Sequence, residues 1–183
     1  MEKPNTAVLN VPNVLTMLRI VAIPFFAALL IYAQYRWALI IFVAASITDA
    51  LDGLIARLTK KQTQLGKFLD PTADKFLLIT SYVLFSFYGF IPTWLTICII
   101  SRDLIVVVGW GLLYMVRHVV FIMPSVYGKF AIAFQMVLLA YMLLKINFRG
   151  VFPDPKLLVI VTAVLTVVSG LHYLYKGFMY ANE

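Results

Sequence analysis

The sequence predicts an all-α integral membrane protein with six transmembrane helices. Of its 183 residues, 63% are hydrophobic and only 13% are charged, whereas a typical soluble domain has a charged fraction of about 25%. The apolar residues form blocks of helix length, not the alternating strands of about ten residues that build an outer-membrane barrel. Four of the eight acidic residues stand together between positions 46 and 76, and we expect the chemistry there.

Apolar runs that approach the roughly 20 residues needed to cross a bilayer define the elements. The helices are predicted at 14–34, 37–58, 71–89, 93–116, 126–146 and 156–175. The first follows a polar stretch with two prolines, and the second and third flank the acidic segment. Pro71 is expected in the first turn of the third helix, where its missing N–H does no harm. The linker before it contains Gly66. The last three helices are apolar over most of their length.

Six spans use nearly the whole chain, which predicts a single membrane-embedded catalytic domain over 1–183 with a short cytoplasmic N-terminal segment at 1–13. The basic residues on the side of the termini are Lys3, Arg57, Lys60, Lys61, Lys67, Arg117, Lys129 and Lys176. Those on the opposite side are Arg36, Lys145, Arg149 and Lys156. Cytoplasmic loops carry the excess of Lys and Arg, so both termini and the acidic segment are predicted to be cytoplasmic.

The acidic residues form two pairs with helical spacing. Asp49 and Asp52 are three positions apart and Asp70 and Asp74 are four apart, so each pair shares one helix face. The short linker makes the second and third helices antiparallel neighbours, which places both pairs near the same end and facing each other. Each intramembrane aspartate costs roughly 2.5–3.5 kcal/mol, so these carboxylates must be protonated, paired with cations or bound to metal.

The donor atoms of this cluster are hard oxygens with no His or Cys, which suit Mg²⁺, Mn²⁺ or Ca²⁺ and not zinc. Two divalent ions would balance four negative charges. A substrate with a pyrophosphate group needs such a site, because the ions neutralise charge that develops on the leaving phosphate.

Structural explanations exist for single residues of the segment. Asp70 before Pro71 can be a helix N-cap, and Asp74 can pair with Lys75 or Lys67. A purely structural role for all four aspartates is the least expected alternative.

The pattern Asp49-x2-Asp52-Gly53-x2-Ala56-Arg57-x8-Gly66-x3-Asp70-x3-Asp74 resembles the full signature of the CDP-alcohol phosphatidyltransferases. All of its fixed positions are present with the expected spacing. The resemblance extends to the stretches NVPNVLTMLRI in the first helix and IISRDLIVV in the fourth, so it covers most of the chain.

The resemblance implies the six-helix fold of that family, usually a homodimer, in a bacterial cytoplasmic membrane, with a polar cavity open to the cytoplasm. Members transfer a phosphatidyl group from CDP-diacylglycerol to an alcohol and release CMP; the partners are membrane lipids, with no nucleic acid. By motif position, Asp49, Asp52 and Asp70 would bind two Mg²⁺ or Mn²⁺ ions. Asp74 would share the metal site and act as the catalytic base. The residues implied to bind CDP are Asp49, Asp52, Gly53, Ala56, Arg57 and Gly66.

Departures from the family pattern bear on the alcohol acceptor. The chain resembles the branch that makes phosphatidylglycerol phosphate from glycerol 3-phosphate, and also the cardiolipin synthases, whose acceptor is phosphatidylglycerol. Glycerol-phosphate users typically follow the fourth-helix Arg with Glu and carry another Arg eight residues later; here these positions are Asp103 and Trp110. They usually read Gly-Lys-x-Lys-Thr in the fifth helix, where this chain has Lys129 but Ala131 and Ile132. With two cations fewer, phosphatidylglycerol is the favoured acceptor and glycerol 3-phosphate the alternative.

Two basic residues remain as candidates to bind an acceptor phosphate, Arg102 and Lys129. Lys129 is also explained by snorkelling of its ammonium group to the membrane interface.

Two other classes of membrane protein also concentrate aspartates. An intramembrane prenyltransferase uses aspartates and Mg²⁺ but would normally have a longer chain and two separate Asp-rich motifs. A cation transporter would space its acidic residues along a path across the bilayer. A single compact cluster favours neither.

Overall fold

The computed structural model of the chain describes residues 11–59, 64–117, 126–148 and 150–182, with side chains at 14–49, 72–109, 111, 115, 126–148 and 150–179. All six predicted helices are present. They are α1 (Val11–Ile31), α2 (Tyr35–Thr59), α3 (Gln64–Phe87), α4 (Thr93–Arg117), α5 (Val126–Asn147) and α6 (Lys156–Asn182).

The error of the sequence prediction that matters most for the acidic motif is the start of α3. The helix begins at Gln64, seven residues before the predicted start at position 71. Gly66 therefore lies inside α3 and not in the linker, and Asp70 is not a helix N-cap. Pro71 is the eighth residue of the helix and not part of its first turn. α1 also begins earlier than predicted, at Val11, and α6 continues to Asn182.

A residue with left-handed backbone conformation follows α1, and another follows α3. Ala33 after α1 has φ 57° and Gly89 after α3 has φ 73°. The amide of Gln34 donates to the carbonyl of Leu29 at 2.8 Å, and that of Phe90 donates to Phe85 at 2.8 Å. These bonds satisfy the last carbonyls of each helix in the Schellman arrangement and allow tight turns into α2 and α4.

The chain divides into two compact units. The first comprises Met1–Leu84 and Leu143–Arg149. In it, α1 packs against α2 through a buried stripe at every third or fourth position of α1, consisting of Thr16, Arg19, Ile23, Phe26 and Leu30. The rings of Phe26 and Phe42 lie 6.2 Å apart between the two helices. The start of α2 is also held by the side-chain amide of Asn147, which donates to the carbonyl of Tyr35 at 3.0 Å.

The second unit comprises Phe85–Met142 and Gly150–Glu183, and in it α4 packs against α6. Several of its described side chains are polar and buried. Fully buried hydroxyl groups follow one face of α6 at Thr162, Thr166 and Ser169. Gln135 of α5 donates to the hydroxyl of Thr166 at 3.1 Å. Buried hydroxyl and amide groups that bond across helices are common in membrane helix packing.

Among the described residues, three stretches are long and apolar enough to cross a membrane: Val14–Ile31, Val126–Asn147 and Lys156–Met179. Large apolar side chains are exposed on the surface, such as Phe25 and Leu157 at 61% and 75%. A surface of this kind is stable against lipid and not against water, so the chain is a membrane protein. The other helices have 24 or 25 residues each but carry charged side chains, and six crossings stay a prediction.

Candidate active site

Arg19 lies inside the first unit on the buried stripe of α1 that faces α2. Only 2% of its surface is exposed. Apolar neighbours on the same stripe, Ile23 and Phe26, fix the side of the helix on which it stands. A buried guanidinium must be compensated by anionic partners, because an isolated charge in such surroundings is strongly unfavourable.

Those partners are two aspartates of the motif. The Nη1 atom of Arg19 lies 2.8 Å from Oδ1 of Asp49 in α2 and 2.6 Å from Oδ1 of Asp74 in α3. The two carboxylate oxygens are therefore at most 5.4 Å apart, the combined length of both contacts. The prediction that the second and third helices bring their carboxylates to one place is confirmed for this pair.

The three charged groups lie at similar depth. Arg19 stands eight residues after the start of α1, Asp49 ten residues before the end of α2, and Asp74 ten residues after the start of α3. At 1.5 Å per helical residue these separations correspond to about 12, 15 and 15 Å. Asp49 and Asp74 therefore lie within about four helical turns of the shared end of α2 and α3 but not at that end, deeper along the helices than the sequence predicted.

The carboxylates and the guanidinium differ in accessibility. The side chains of Asp49 and Asp74 are 41% and 38% exposed, whereas that of Arg19 is 1% exposed. The acidic groups thus form the accessible face of the cluster and the arginine forms its inner wall. Of these three groups, the two carboxylates are the ones that a cation or a polar substrate can reach.

The other motif residues are described only by their backbone. Asp52, Gly53, Ala56 and Arg57 lie in α2, and Gly66 and Asp70 lie in α3; the contacts of their side chains fall outside the described residues. Asp52 and Asp70 are on the same helices as Asp49 and Asp74, three and four positions away. Their predicted roles stay predictions.

A divalent ion fits the chemistry of this cluster. Two oxygens bound to one ion are separated by at most twice the ligand distance, about 4.2 Å for Mg²⁺ and about 5 Å for Ca²⁺. The two carboxylates approach within 5.4 Å at the oxygens that contact Arg19, so both groups are close enough to contribute to one ion site. In the part of the chain whose side chains are described, no three possible ligands come together. A complete site would need Asp52 and Asp70 as well.

Arg19 has no place in the motif, whose fixed positions all lie between 49 and 74. An arginine in the middle of an apolar helix indicates an anionic or polar partner within the protein, because a charged side chain in such a helix faces the protein interior. The identity of that partner required the structure. Arg19 is a partner of Asp74 that the sequence did not indicate; the side-chain contacts of Lys67, one of the two lysines considered as alternative partners, lie outside the described residues.

Arg102 belongs to the second unit and joins α4 to α6. Its Nε and Nη2 atoms donate to the hydroxyl oxygen of Ser169 at 3.3 and 2.8 Å, and its Nη1 donates to Oδ1 of Asp103 at 2.6 Å. Its guanidinium carbon lies 5.4 Å from the centre of the Tyr173 ring. The arginine is buried, with its charge balanced by Asp103.

Lys129, the other predicted acceptor residue, lies in the first turn of α5 with an exposed side chain. An exposed position agrees with either of its two explanations, interfacial snorkelling or contact with an acceptor. Its role stays a prediction.

Comparison with known proteins places the chain in a family. The family model of CDP-alcohol phosphatidyltransferase matches residues 9–171. A CDP-diacylglycerol–glycerol-3-phosphate 3-phosphatidyltransferase of Aquifex aeolicus is 31% identical over 177 residues, which cover 93% of this chain and 97% of the relative. A probable phosphatidylglycerophosphate synthase of Mycobacterium tuberculosis is 35% identical over 177 residues, covering 92% and 81%. A CMP-forming cardiolipin synthase of Streptomyces coelicolor is 31% identical over 112 residues, covering 58% and 52%. The chain belongs to the CDP-alcohol phosphatidyltransferase family.

Proposed function

We propose that this enzyme transfers the phosphatidyl group of CDP-diacylglycerol to phosphatidylglycerol, forms cardiolipin and releases CMP. The observation that carries the proposal is the meeting of the Asp49 and Asp74 carboxylates within 5.4 Å. These are the first and last aspartates of a motif that is complete in this sequence, and the chain belongs to a family of CDP-alcohol phosphatidyltransferases.

Asp49, Asp52 and Asp70, with a share from Asp74, would hold two Mg²⁺ or Mn²⁺ ions. Dependence on divalent metal is general in the family. Bound there, the ions would neutralise negative charge on the pyrophosphate oxygens as CMP leaves. The contribution of the chain itself is a set of accessible carboxylates held at a fixed separation.

Asp74 would accept the proton of the acceptor hydroxyl. The hydroxyl oxygen then attacks the phosphorus that bears diacylglycerol, and the bond from that phosphorus to CMP breaks. A base must lie within hydrogen-bond reach of the proton that it removes. The Asp74 side chain is 38% exposed, and its Oδ1 atom lies 2.6 Å from Nη1 of Arg19.

The cytidine and phosphate groups of CDP would lie against α2 and the start of α3. Gly53, Ala56 and Gly66 have small or no side chains, which allow a ligand to approach the helix backbone closely. The guanidinium of Arg57 is suited to bidentate contact with phosphate oxygens. All of these positions are part of the motif.

The choice of phosphatidylglycerol is supported by the cations that this chain lacks. Trp110 and Ala131 stand where glycerol-phosphate users typically have Arg and Lys. A phosphate monoester brings nearly two negative charges and requires several cations, whereas a diester brings one. Arg102 and Lys129 are the candidate cations that remain, and the Arg102–Asp103 pair at 2.6 Å does not distinguish the acceptors.

Glycerol 3-phosphate is the second candidate acceptor. The relatives of Aquifex aeolicus and Mycobacterium tuberculosis, which cover most of both chains, have names that specify this acceptor or its product. The cardiolipin synthase match covers 58% of this chain. Identification of the lipid product distinguishes glycerol 3-phosphate from phosphatidylglycerol as the acceptor.

We further propose that α1 to α6 all cross the cytoplasmic membrane of a bacterium as one catalytic domain, with both termini and the motif on the cytoplasmic side, and that two chains form a homodimer. The excess of basic residues on the side of the termini supports the orientation. An even number of spans returns the chain to the side on which it began.

The decisive experiment supplies the purified protein with CDP-diacylglycerol and Mg²⁺, together with glycerol 3-phosphate, phosphatidylglycerol or both. The lipid product is identified by mass spectrometry. We expect cardiolipin as the main product when both acceptors are present. Efficient synthesis of phosphatidylglycerol phosphate without cardiolipin would show that the acceptor is wrong and leave the metal and CDP assignments intact. No CMP release with either acceptor would refute the proposed reaction.

A double variant tests the residues behind this choice. Ala131→Lys with Ile132→Thr restores two family positions and should shift the preference toward glycerol 3-phosphate, because one charge-assisted bond contributes roughly 1.5–3 kcal/mol, at least tenfold in binding. Ala131 is fully buried, whereas Ile132 is 39% exposed. The single variant Ile132→Thr is therefore the control that leaves the packing around position 131 unchanged.

A further inference from the structure

We propose that Arg19 is a positioning residue of the active site, which holds Asp49 and Asp74 at the separation that catalysis requires and makes α1 part of the catalytic machinery. This inference rests on the proposed function, in which both aspartates act. It concerns a residue outside the motif, on a helix that contributes no motif position.

The contact geometry supports this role. One nitrogen atom, Nη1, reaches an oxygen of each carboxylate, at 2.8 and 2.6 Å. Here a single atom bridges two carboxylates that belong to different helices. The distance between the two acidic groups is therefore set by a point of positive charge between them.

The burial pattern supports the same conclusion. The arginine side chain is 1% exposed, whereas those of Asp49 and Asp74 are 41% and 38% exposed. An arginine that recruited a substrate phosphate would be expected at the accessible surface of the cluster. This one is behind the carboxylates, where it orients them and leaves their accessible oxygens toward the substrate side.

The anchor for Arg19 is the packing of α1 on α2. Phe26 is two turns further along the same stripe and contacts Phe42 with a ring separation of 6.2 Å. Ile23 and Thr16 are buried on either side of the arginine. The backbone position of Arg19 is thus fixed by neighbours that have no chemical role, as a positioning residue requires.

Two substitutions and one matched control test the inference. Arg19→Gln removes the charge, and Arg19→Lys keeps the charge on a shorter side chain that can still place one nitrogen between two carboxylates. Arg36→Gln removes an equal charge at an exposed position near the start of α2. For each protein the Mn²⁺ affinity is measured by electron paramagnetic resonance in the presence of CDP, and the thermal midpoint is measured in EDTA.

We expect Mn²⁺ affinity to fall about tenfold or more in Arg19→Gln, since loss of a residue that orients metal ligands typically costs 10–100-fold. Arg19→Lys should show an intermediate affinity, and Arg36→Gln should equal the unchanged protein. If Arg19→Gln does not assemble, Arg19→Lys decides, and a weaker Mn²⁺ affinity than that of the control supports the inference.

A lower thermal midpoint with unchanged Mn²⁺ affinity in both Arg19 variants would overturn the inference and leave Arg19 as a purely structural ion pair. Tighter Mn²⁺ binding in Arg19→Gln would also overturn it, because the arginine would then oppose the metal. Failure of the unchanged protein to bind Mn²⁺ is a different result, visible before any variant is compared. It would refute the metal part of the proposed function and, with it, this role of Arg19.

Discussion

Substitution of Ser169 distinguishes two roles for the buried Arg102, which are contact between α4 and α6 and binding of the acceptor. Ser169→Ala removes the one oxygen that accepts from both Nε and Nη2 of Arg102, at 3.3 and 2.8 Å. If Arg102 joins α4 to α6, the substitution destabilises the protein. If Arg102 serves mainly to bind the acceptor, it changes the Michaelis constant for the acceptor instead.

The magnitude follows from the partners that are lost. A hydrogen bond to a charged group contributes about 1.5–3 kcal/mol, and the loss of the serine hydroxyl would leave two donors of a buried cation without their acceptor. For a chain of this length each kcal/mol changes the thermal midpoint by about 2–4 °C. We therefore expect a decrease of about 3–12 °C. Asp103 still balances the charge of Arg102, so the fold should survive.

The matched control is Ser81→Ala. Ser81 is also a fully buried helical serine, but its hydroxyl donates to the carbonyl of Leu77 at 2.6 Å within its own helix. A neutral local bond of this kind contributes about 0.5–1.5 kcal/mol. The assay is thermal unfolding of purified protein in detergent, with acceptor kinetics measured in parallel. Equal midpoints for the two variants, with a raised acceptor constant only in Ser169→Ala, would refute the interhelical role and favour acceptor binding.

Two further predictions concern catalysis and orientation. Asp74→Asn should lower the rate of CMP release about 10²–10⁴-fold, the usual contribution of a general base. The control Asp154→Asn changes an exposed loop carboxylate and should have no effect on that rate. Full activity of the unchanged protein in EDTA would contradict the metal assignment. A cysteine introduced by Gln62→Cys should react with an impermeant maleimide from the cytoplasmic side and one introduced by Gly150→Cys from the opposite side. Reversed labelling would show that the orientation is wrong.

The sequence predicts the helices well because their signal is local. A run of about twenty apolar residues is recognisable without knowledge of its neighbours, and all six predicted runs are helical. The aspartate cluster is predictable for a similar reason: helical spacing and a short linker suffice to bring Asp49 and Asp74 together.

The start of α3 was predicted wrongly because Pro71 and Gly66 have two meanings. Proline is common in the first turn of a helix, and glycine is common in turns, so both residues indicated a boundary. Inside membrane proteins, proline and glycine also occur within helices, where neighbouring groups satisfy the freed carbonyl. Pro24 within α1 is another example in this chain. The local pattern cannot distinguish the two cases.

The role of Arg19 was beyond local reasoning for a different reason. Its partner Asp74 lies 55 positions away along the chain, and no spacing rule connects the two residues. The charge balance of Arg102 was partly visible, since Asp103 is adjacent, but its contact with Ser169 spans 67 positions. Contacts of this kind depend on how helices pack against one another.

The ion pairs of Arg19 also have a consequence for biogenesis. During synthesis α1 emerges first, and its arginine alone opposes lateral release into lipid by up to roughly 2.5–3.5 kcal/mol on the insertion scale. Asp49 and Asp74, which compensate that charge, are synthesised 30 and 55 residues later. If α2 and α3 cross the membrane as proposed, the first three helices gain from leaving the translocon as a group, and α1 should integrate more completely with α2 and α3 than alone.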